Sequence, residues 1–444
     1  MKQITYDVVV IGGGPAGSSV ASVLAKAGHQ VLVLEKQKFP REHVGESLLP
    51  FCYQIFEELG VLEEMKTRFL RKPGVTFSNT DGSHFSNWCF HHVIDDPSQL
   101  SFHVHRATFD DLLLKNSRRH GAEVMEETKV LKVDFGEEET VVRAVGPSGE
   151  NMDITARYVI DASGQATVLA KQLGCKKPFD RLERRVALSN HWENAKLDPS
   201  LKTGNIKIVH LEGEHKGWFW LIPITENRLS IGLAVDMAFL KAQKKQLSEQ
   251  HKDWQTAFYL QVIQSSPAVA SIIEGANMLH GLNVNGDFSY YTEHKYNERY
   301  ATVGDASAFL DPIFSSGIYL GMRGGQLVGE GVSQLLNTGK REKLDKAYVD
   351  ISGAYRLVEE LIVTFYEPGS IRFAEVDKVL DFSYEKFEAA YSILHLVLAG
   401  DFFTNYDKYL KAIQLLKDEE MIDKYRNLIG HPEVHHANDT CVVD

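Results

Sequence analysis

The chain has 444 residues, 43% of them hydrophobic, and a net charge of −12. That length supports two or three domains, or one elaborate domain with a sizeable core. The acidic balance argues against nucleic acid or an anionic membrane surface as the main partner. Four cysteines, Cys52, Cys89, Cys175 and Cys441, lie far apart and form no CxxC. Neither a zinc site nor a disulfide framework is expected, no metal is assigned, and a reducing cytoplasm is the expected compartment.

Val8 to Ala25 carries no charge, yet Gly12, Gly13, Gly14, Pro15 and Gly17 interrupt it, and Asp7 precedes it without a basic segment. A strand, a turn and a helix fit this stretch better than a membrane span or a leader. Asp7 to Ile11 is a β-branched run of buried-strand type, and Gly12, Gly14 and Gly17 then fit GxGxxG. Ser18 to Ala27 reads as a small-residue helix closed by Gly28, and Val31 to Leu34 as a second strand ending at Glu35. Gly12 allows the tight turn, Gly14 lets the backbone approach a pyrophosphate, and Gly17 lets helix and strand pack closely. The helix N-terminus offers N–H groups to the phosphates, and Glu35 can accept both ribose hydroxyls. With Lys36 next and no pocket for a 2′-phosphate, an adenosine dinucleotide lacking that group is expected.

Arg41 to Pro50, reading REHVGESLLP, follows as a loop that can pack near the nucleotide; taken alone, Ser47 reads equally as a helix cap toward Gly60. Lys72 precedes a Pro-Gly turn and a strand, a setting in which lysine is usually just exposed. His103 to Leu113 reads as a strand leading into an amphipathic helix, from which Arg106 can reach the nucleotide. Tyr158 to Gly164 and Ala301 to Ala306 are strands that end in Asp-Gly or Gly-Asp turns. Each alone is an ordinary turn, while Asp305 is also placed to hold ribityl hydroxyls of a flavin.

Between them, Val186 to Leu188, Ile206 to Val209 and Leu229 to Leu233 read as a second sheet, with a polar helical stretch from Lys241 to Ser265 covering it. Gly217 to Ile224, reading GWFWLIPI, puts Trp218 and Trp220 on one face of a strand, with Phe219 and Leu221 on the other. Core packing accounts for such a pattern by itself. Asp311 to Ile318, reading DPIFSSGI, opens a helix running to about Leu335. Helical patterns follow over Tyr348 to Tyr366, Phe382 to Leu398 and Lys408 to Leu428, and His435 and His436 fall in a loose tail. The expected fold is α/β: a Rossmann-like, discontinuous FAD-binding domain (1–80, 101–175 and 286–340), an inserted substrate-side β-sheet domain (81–100 and 176–285) and a helical C-terminal region (341–444).

The order of nucleotide motifs over residues 5 to 330 resembles the single-FAD-domain flavoprotein monooxygenases. Within them, RxHVGESLLP, the arginine before FDxLL, DASG, WxWxIP and GDAxxFxDPxxSxG resemble the flavin-dependent halogenases, most closely those acting on phenols and pyrroles, carrier-tethered ones included. This resemblance implies a cofactor set of Gly12, Gly14, Ala16, Gly17, Glu35, Lys36, Arg41, Ser47, Arg106 and Asp305. It implies that Ser316 and Gly317 hold chloride or bromide, that Trp218 and Trp220 stand as a gate between flavin and substrate, and that Lys72 receives the hypohalous acid formed from reduced FAD, oxygen and halide. It also implies a separate NAD(P)H-dependent flavin reductase as partner and an aromatic substrate, free or on an acyl or peptidyl carrier protein. The tryptophan-specific halogenases carry a glutamate just before the halide pair, where this chain has Phe314-Ser315, so a self-activated phenol or pyrrole is the expected substrate. A flavin hydroxylase or prenyl-chain reductase of the same fold, and a non-catalytic flavin-binding homologue, remain alternatives here.

Overall fold

A computed structural model describes residues 5–136, 139–211, 217–286, 289–367, 370, 372–375, 385–415, 417 and 440–443. Thr5–Ile11, whose apolar half Val8 to Ile11 is buried, forms an interior strand of a seven-stranded sheet, flanked by strands on both sides. Val31–Leu34 and Asn151–Asp161 pair with it in parallel, and Tyr300–Thr302 pairs in parallel with the end of Asn151–Asp161. Four parallel strands therefore end at one edge, where Gly12, Glu35, Ala162 and Gly304 follow them. Residues nearly three hundred apart in sequence meet there, so the FAD-type sheet is discontinuous as expected.

The second sheet has eight strands. In spatial order it runs Asn277–Met278, Arg185–Glu193, Arg228–Asp236, Gly217–Thr225, Ile206–Leu211, Gly74–Ser78 and Phe85–Cys89, with Asn283–Gly286 also paired to Arg185–Glu193. Gly74–Ser78, assigned at sequence level to the nucleotide-binding segments, pairs in parallel with Ile206–Leu211 and so belongs to this second sheet. Period-two alternation along Gly217–Thr225 splits its side chains between two cores. Trp218, Trp220 and Ile222 join the large core shared with the nucleotide-binding sheet. Phe219 and Leu221 join a separate core beneath the helices Met237–Gln250, Trp254–Gln264 and Pro267–Ile273.

The helix Gly317–Thr338 packs against Pro15–Lys26, and Glu342–Tyr366 packs against Gly317–Thr338. Tyr406–Leu415 and Glu385–Ala399 are the described parts of the two later helical patterns. Phe382, His435, His436 and the stretch expected to continue to Leu428 lie outside the described residues. Among the described residues, no helix is long and apolar enough to cross a membrane.

One sequence expectation is overturned. Cys89 and Cys441 form a disulfide, 352 residues apart in sequence and both buried. Wide spacing says nothing about pairing, since the contact is made by the C-terminal end returning to the edge of the second sheet. Cys52 and Cys175 are free and buried.

Candidate active site

A cavity of about 600 Å³ runs from the edge of the nucleotide-binding sheet to the tryptophan face of the second sheet. At the first end lie Gly12, Gly14, Ala16, Glu35, Lys36 and Arg41. Gly12 has φ +102°, and a Cβ on it would come within 2.4 Å of the Ala162 carbonyl oxygen, so only glycine closes this turn. Gly17 stands against the same turn, and its added Cβ would come within 2.0 Å of the Gly12 carbonyl oxygen.

Gly14 differs. It has ordinary φ, and the nearest atom to its added Cβ is Arg41 Nη2 at 3.6 Å. The space over Gly14 is thus free of backbone and overhung by a guanidinium, which fits a pyrophosphate held at the N-terminus of Pro15–Lys26. Gly14→Val is accordingly expected to leave the fold intact, within about 0.5 kcal/mol, and to weaken FAD binding by about 100-fold, roughly 2.8 kcal/mol. Flavin fluorescence titration beside a melting curve of the FAD-free protein measures both. Glu35 accepts Gly13 N–H at one carboxylate oxygen and Gln37 N–H at the other, each at 2.8 Å. Each oxygen keeps a further lone pair for a ribose hydroxyl.

In the middle of the cavity, Arg106 is 4% exposed and makes a two-bond pair with Asp110, at 2.8 and 2.9 Å. Its remaining nitrogen donates to the Val44 carbonyl oxygen at 2.6 Å. Arg41 Nη1 lies 3.0 Å from the same Asp110. One buried carboxylate therefore anchors both arginines on the wall, and their positive charge holds the Asp110 carboxyl below its usual range despite burial. Arg106, foremost, also pushes the His43 imidazole down. The Ser47 hydroxyl is buried on this wall with no hydrogen-bond partner among the described residues. It does not cap the next helix, Cys52–Leu59, whose N-cap position is Phe51. Such an orphan on a cavity wall fits a polar ligand edge. Asp305 lies on the same wall, with its pKa raised to about 6 by burial against the pull of Arg106.

At the far end Trp218 and Trp220 both face the cavity, ring centroids 5.5 Å apart. Cross-strand register sets Trp220 opposite Gly232, and a Cβ there would come within 1.9 Å of the Trp220 ring. The indole thus lies flat over its neighbouring strand, and Gly232 is a structural requirement that sequence reading missed. Trp220 Nε1 donates to Ser230 Oγ at 3.3 Å.

The loop before Gly317–Thr338 is built tightly. Asp311, 2% exposed, accepts Ile313 N–H at 3.2 Å and the Tyr366 hydroxyl at 2.9 Å, while Arg185 stacks over the Tyr366 ring. Phe314 is packed among Phe77, Phe365 and Phe373, and Ser315 takes φ +54°, a left-handed conformation uncommon for serine. Ser315 and Gly317 line the cavity; Ser316 is buried and not on its wall, and its hydroxyl makes no helix cap. Free N–H groups of the first helical turn therefore stand at the cavity.

Lys72 is fully buried rather than exposed. Its ammonium donates to the Leu48 carbonyl oxygen at 2.8 Å and lies 5.4 Å from the centre of the Phe90 ring. Burial lowers its pKa to about 7. It is not among the cavity's lining residues, so the structure puts Lys72 behind that wall and not on it. Sequence reading also missed Glu46, a buried carboxylate on the cavity wall that meets His191 Nε2 at 2.8 Å.

The chain matches the FAD binding domain family over residues 5–353. A tryptophan 2-halogenase of Chondromyces crocatus is 30% identical over 337 residues, covering 74% of this chain and 61% of its own length. A 1H-pyrrole-2-carbonyl-(peptidyl-carrier protein) chlorinase of Pseudomonas fluorescens is 27% identical over 363 residues, covering 77% of this chain and 79% of its own. Among solved structures, the myxobacterial chondrochloren halogenase, described as a variant of FAD-dependent halogenases, is 30% identical with a TM-score of 0.73 and 96% of each chain covered. With a dinucleotide-type sheet edge, an arginine-overhung glycine turn and this likeness over nearly its whole length, the chain belongs to the FAD-dependent halogenases.

Proposed function

We propose that the chain oxidises chloride or bromide to hypohalous acid and delivers it, through Lys72, to a phenol or pyrrole, free or carried on an acyl or peptidyl carrier protein. The observation that carries this reading is the pair of tryptophans on the cavity wall; Lys72 lies off that wall, fully buried, with its pKa depressed. Reduced FAD, when bound, would supply two electrons to oxygen, and the halide gives up the other two as it becomes hypohalous acid. A separate NAD(P)H-dependent reductase would deliver the FAD in that reduced state.

The residues divide the work. Gly12, Gly14, Ala16, Gly17, Glu35, Lys36, Arg41, Ser47, Arg106 and Asp305 hold the cofactor in the large cavity. Gly317, on the cavity wall at the positive end of a 22-residue helix, attracts the halide together with the Ser316 backbone that precedes it off the wall. Trp218 and Trp220 exclude an aromatic substrate from the flavin and so suppress hydroxylation. Lys72 takes up the hypohalous acid, by hydrogen bonding or as a haloamine, and orients the halogen toward the arene.

The substrate class rests on the loop. Phe314 and Ser315 stand where an acid would assist an unactivated ring, so the ring must activate itself. The likeness to a tryptophan 2-halogenase makes tryptophan the necessary control. Purified protein given FAD, a reductase, halide and a panel of phenols, pyrroles (free and carrier-bound) and tryptophan is expected to halogenate the first two classes. Mass spectra separate added halogen from added oxygen, and halogenation of tryptophan alone would overturn the substrate assignment.

A further inference from the structure

The overall stoichiometry sets a demand on the cavity. Reduced FAD anion, oxygen, halide anion and two protons give oxidised FAD, hypohalous acid and one water; the hypohalous acid and an arene then give the aryl halide and a second water. Two protons must therefore enter the flavin cavity in each turnover.

A second cavity, about 350 Å³, lies along the same face of the second sheet. On the strand Gly217–Thr225, Trp218, Trp220 and Ile222 line the first cavity and Ile224 lines the second. On Arg185–Glu193, Ala187 and Ser189 line the first and Glu193 the second. His191 is the residue between them on that face, in register with Ser230 and, through it, Ile222. It stands on the ridge that separates the two cavities.

Glu46 crosses the ridge from the flavin side. It is 2% exposed, lines the first cavity, and its Oε1 lies 2.8 Å from His191 Nε2. On the other side, the His191 ring centroid is 6.4 Å from that of His105, which lines the second cavity and lies 3.2 Å from Glu42. That second cavity is bordered by exposed Arg68 and Asn227 and by half-buried Arg228, so it opens to solvent.

We propose that Glu46 and His191 form a proton relay from the second cavity to the flavin cavity. An imidazole can take a proton at Nδ1 and release one at Nε2, and a carboxylate in contact with Nε2 can pass it on. Glu35 on the first wall holds the Gly13 and Gln37 N–H groups at the dinucleotide end, and Arg41 and Arg106 are held by Asp110. Asp305 and His43 also line this wall, but among the described residues only Glu46 is joined by a hydrogen bond to a residue on the ridge. Arg106 and His43 on the flavin side, and His105, Glu42 and Glu193 on the solvent side, are the charged or titratable groups around the pair.

The relay rests on placing FAD in the first cavity, and the test separates the two. In Glu46→Gln and His191→Ala, FAD affinity measured by fluorescence is expected to stay within about twofold, while halogenation falls by about 100-fold. Added imidazole should restore His191→Ala and not Glu46→Gln. A crystal structure of FAD-free His191→Ala soaked with imidazole should show the ring in the gap between Glu46 and the second cavity. Full activity in both variants, or a loss in His191→Ala that imidazole does not restore although the ring occupies the gap, overturns the relay. Loss of FAD binding in Glu46→Gln overturns it as well, by assigning that carboxylate to the cofactor. Loss of FAD binding in Gly14→Val tests the cavity assignment independently.

Discussion

Lys72→Ala is expected to abolish halogenated product, by at least about 100-fold, while reduced FAD and oxygen are still consumed. Oxygen uptake beside mass spectrometry of the products reads the split, and full halogenation by the variant would remove Lys72 from the chemistry. The pH profile then decides how the lysine acts. With its pKa lowered to about 7 by burial, a haloamine route needs the neutral amine and gains rate as pH rises through that value. A route in which the ammonium hydrogen-bonds the hypohalous acid loses rate over the same range.

The same shift has a cost in stability with a definite sign. In the unfolded chain the lysine titrates near 10.5. Between about 7 and 10.5 the unfolded state binds more protons, so stability rises with pH across this window. Below about 7 the folded protein carries the whole penalty of a buried ammonium. Lys72→Met is therefore expected to be inactive yet more stable at pH 6, by about 1–2 kcal/mol, with the gain shrinking toward pH 10. Thermal melts at the two pH values measure this.

Opening the gate should change what the enzyme makes. With Trp218→Ala and Trp220→Ala combined, FAD is expected to bind while halogenated product per reduced FAD falls several-fold and oxygenated product or peroxide rises. Each substitution removes a buried indole at about 3–5 kcal/mol, so a Trp218→Phe, Trp220→Phe pair is the companion that keeps the fold. If both pairs fold and leave selectivity and uncoupling unchanged, the tryptophans are only packing. Position leaves room for both roles, since Trp218 and Trp220 belong to the larger core and also line the cavity. Their face meets the cavity while Phe219 and Leu221 serve a different core.

What the sequence disclosed was local. The turn at Gly12 to Gly17, the parallel strands around it and the two faces of GWFWLIPI follow from glycine spacing and period two, which a single stretch carries. What it withheld depends on contacts across the chain. Glu46 meets His191 from 145 residues away, and Trp220 lies on Gly232 only because of the register between two strands. Gly74–Ser78 has the composition of any buried strand, so its sheet could not be assigned before its partner Ile206–Leu211 was known. Lys72 looked exposed because lysines before turns usually are; the aromatic wall that buries it comes from Phe90, in another strand's extension.

The four cysteines acquire a meaning from the product. Hypohalous acid attacks thiolates readily, and an enzyme releasing it inactivates itself if it presents one. Here Cys89 and Cys441 are already joined, and Cys52 and Cys175 are buried, with burial pushing the Cys52 thiol up to about 12. No cysteine of this chain offers an exposed thiolate, which suits a catalyst that must survive many turnovers beside its own oxidant.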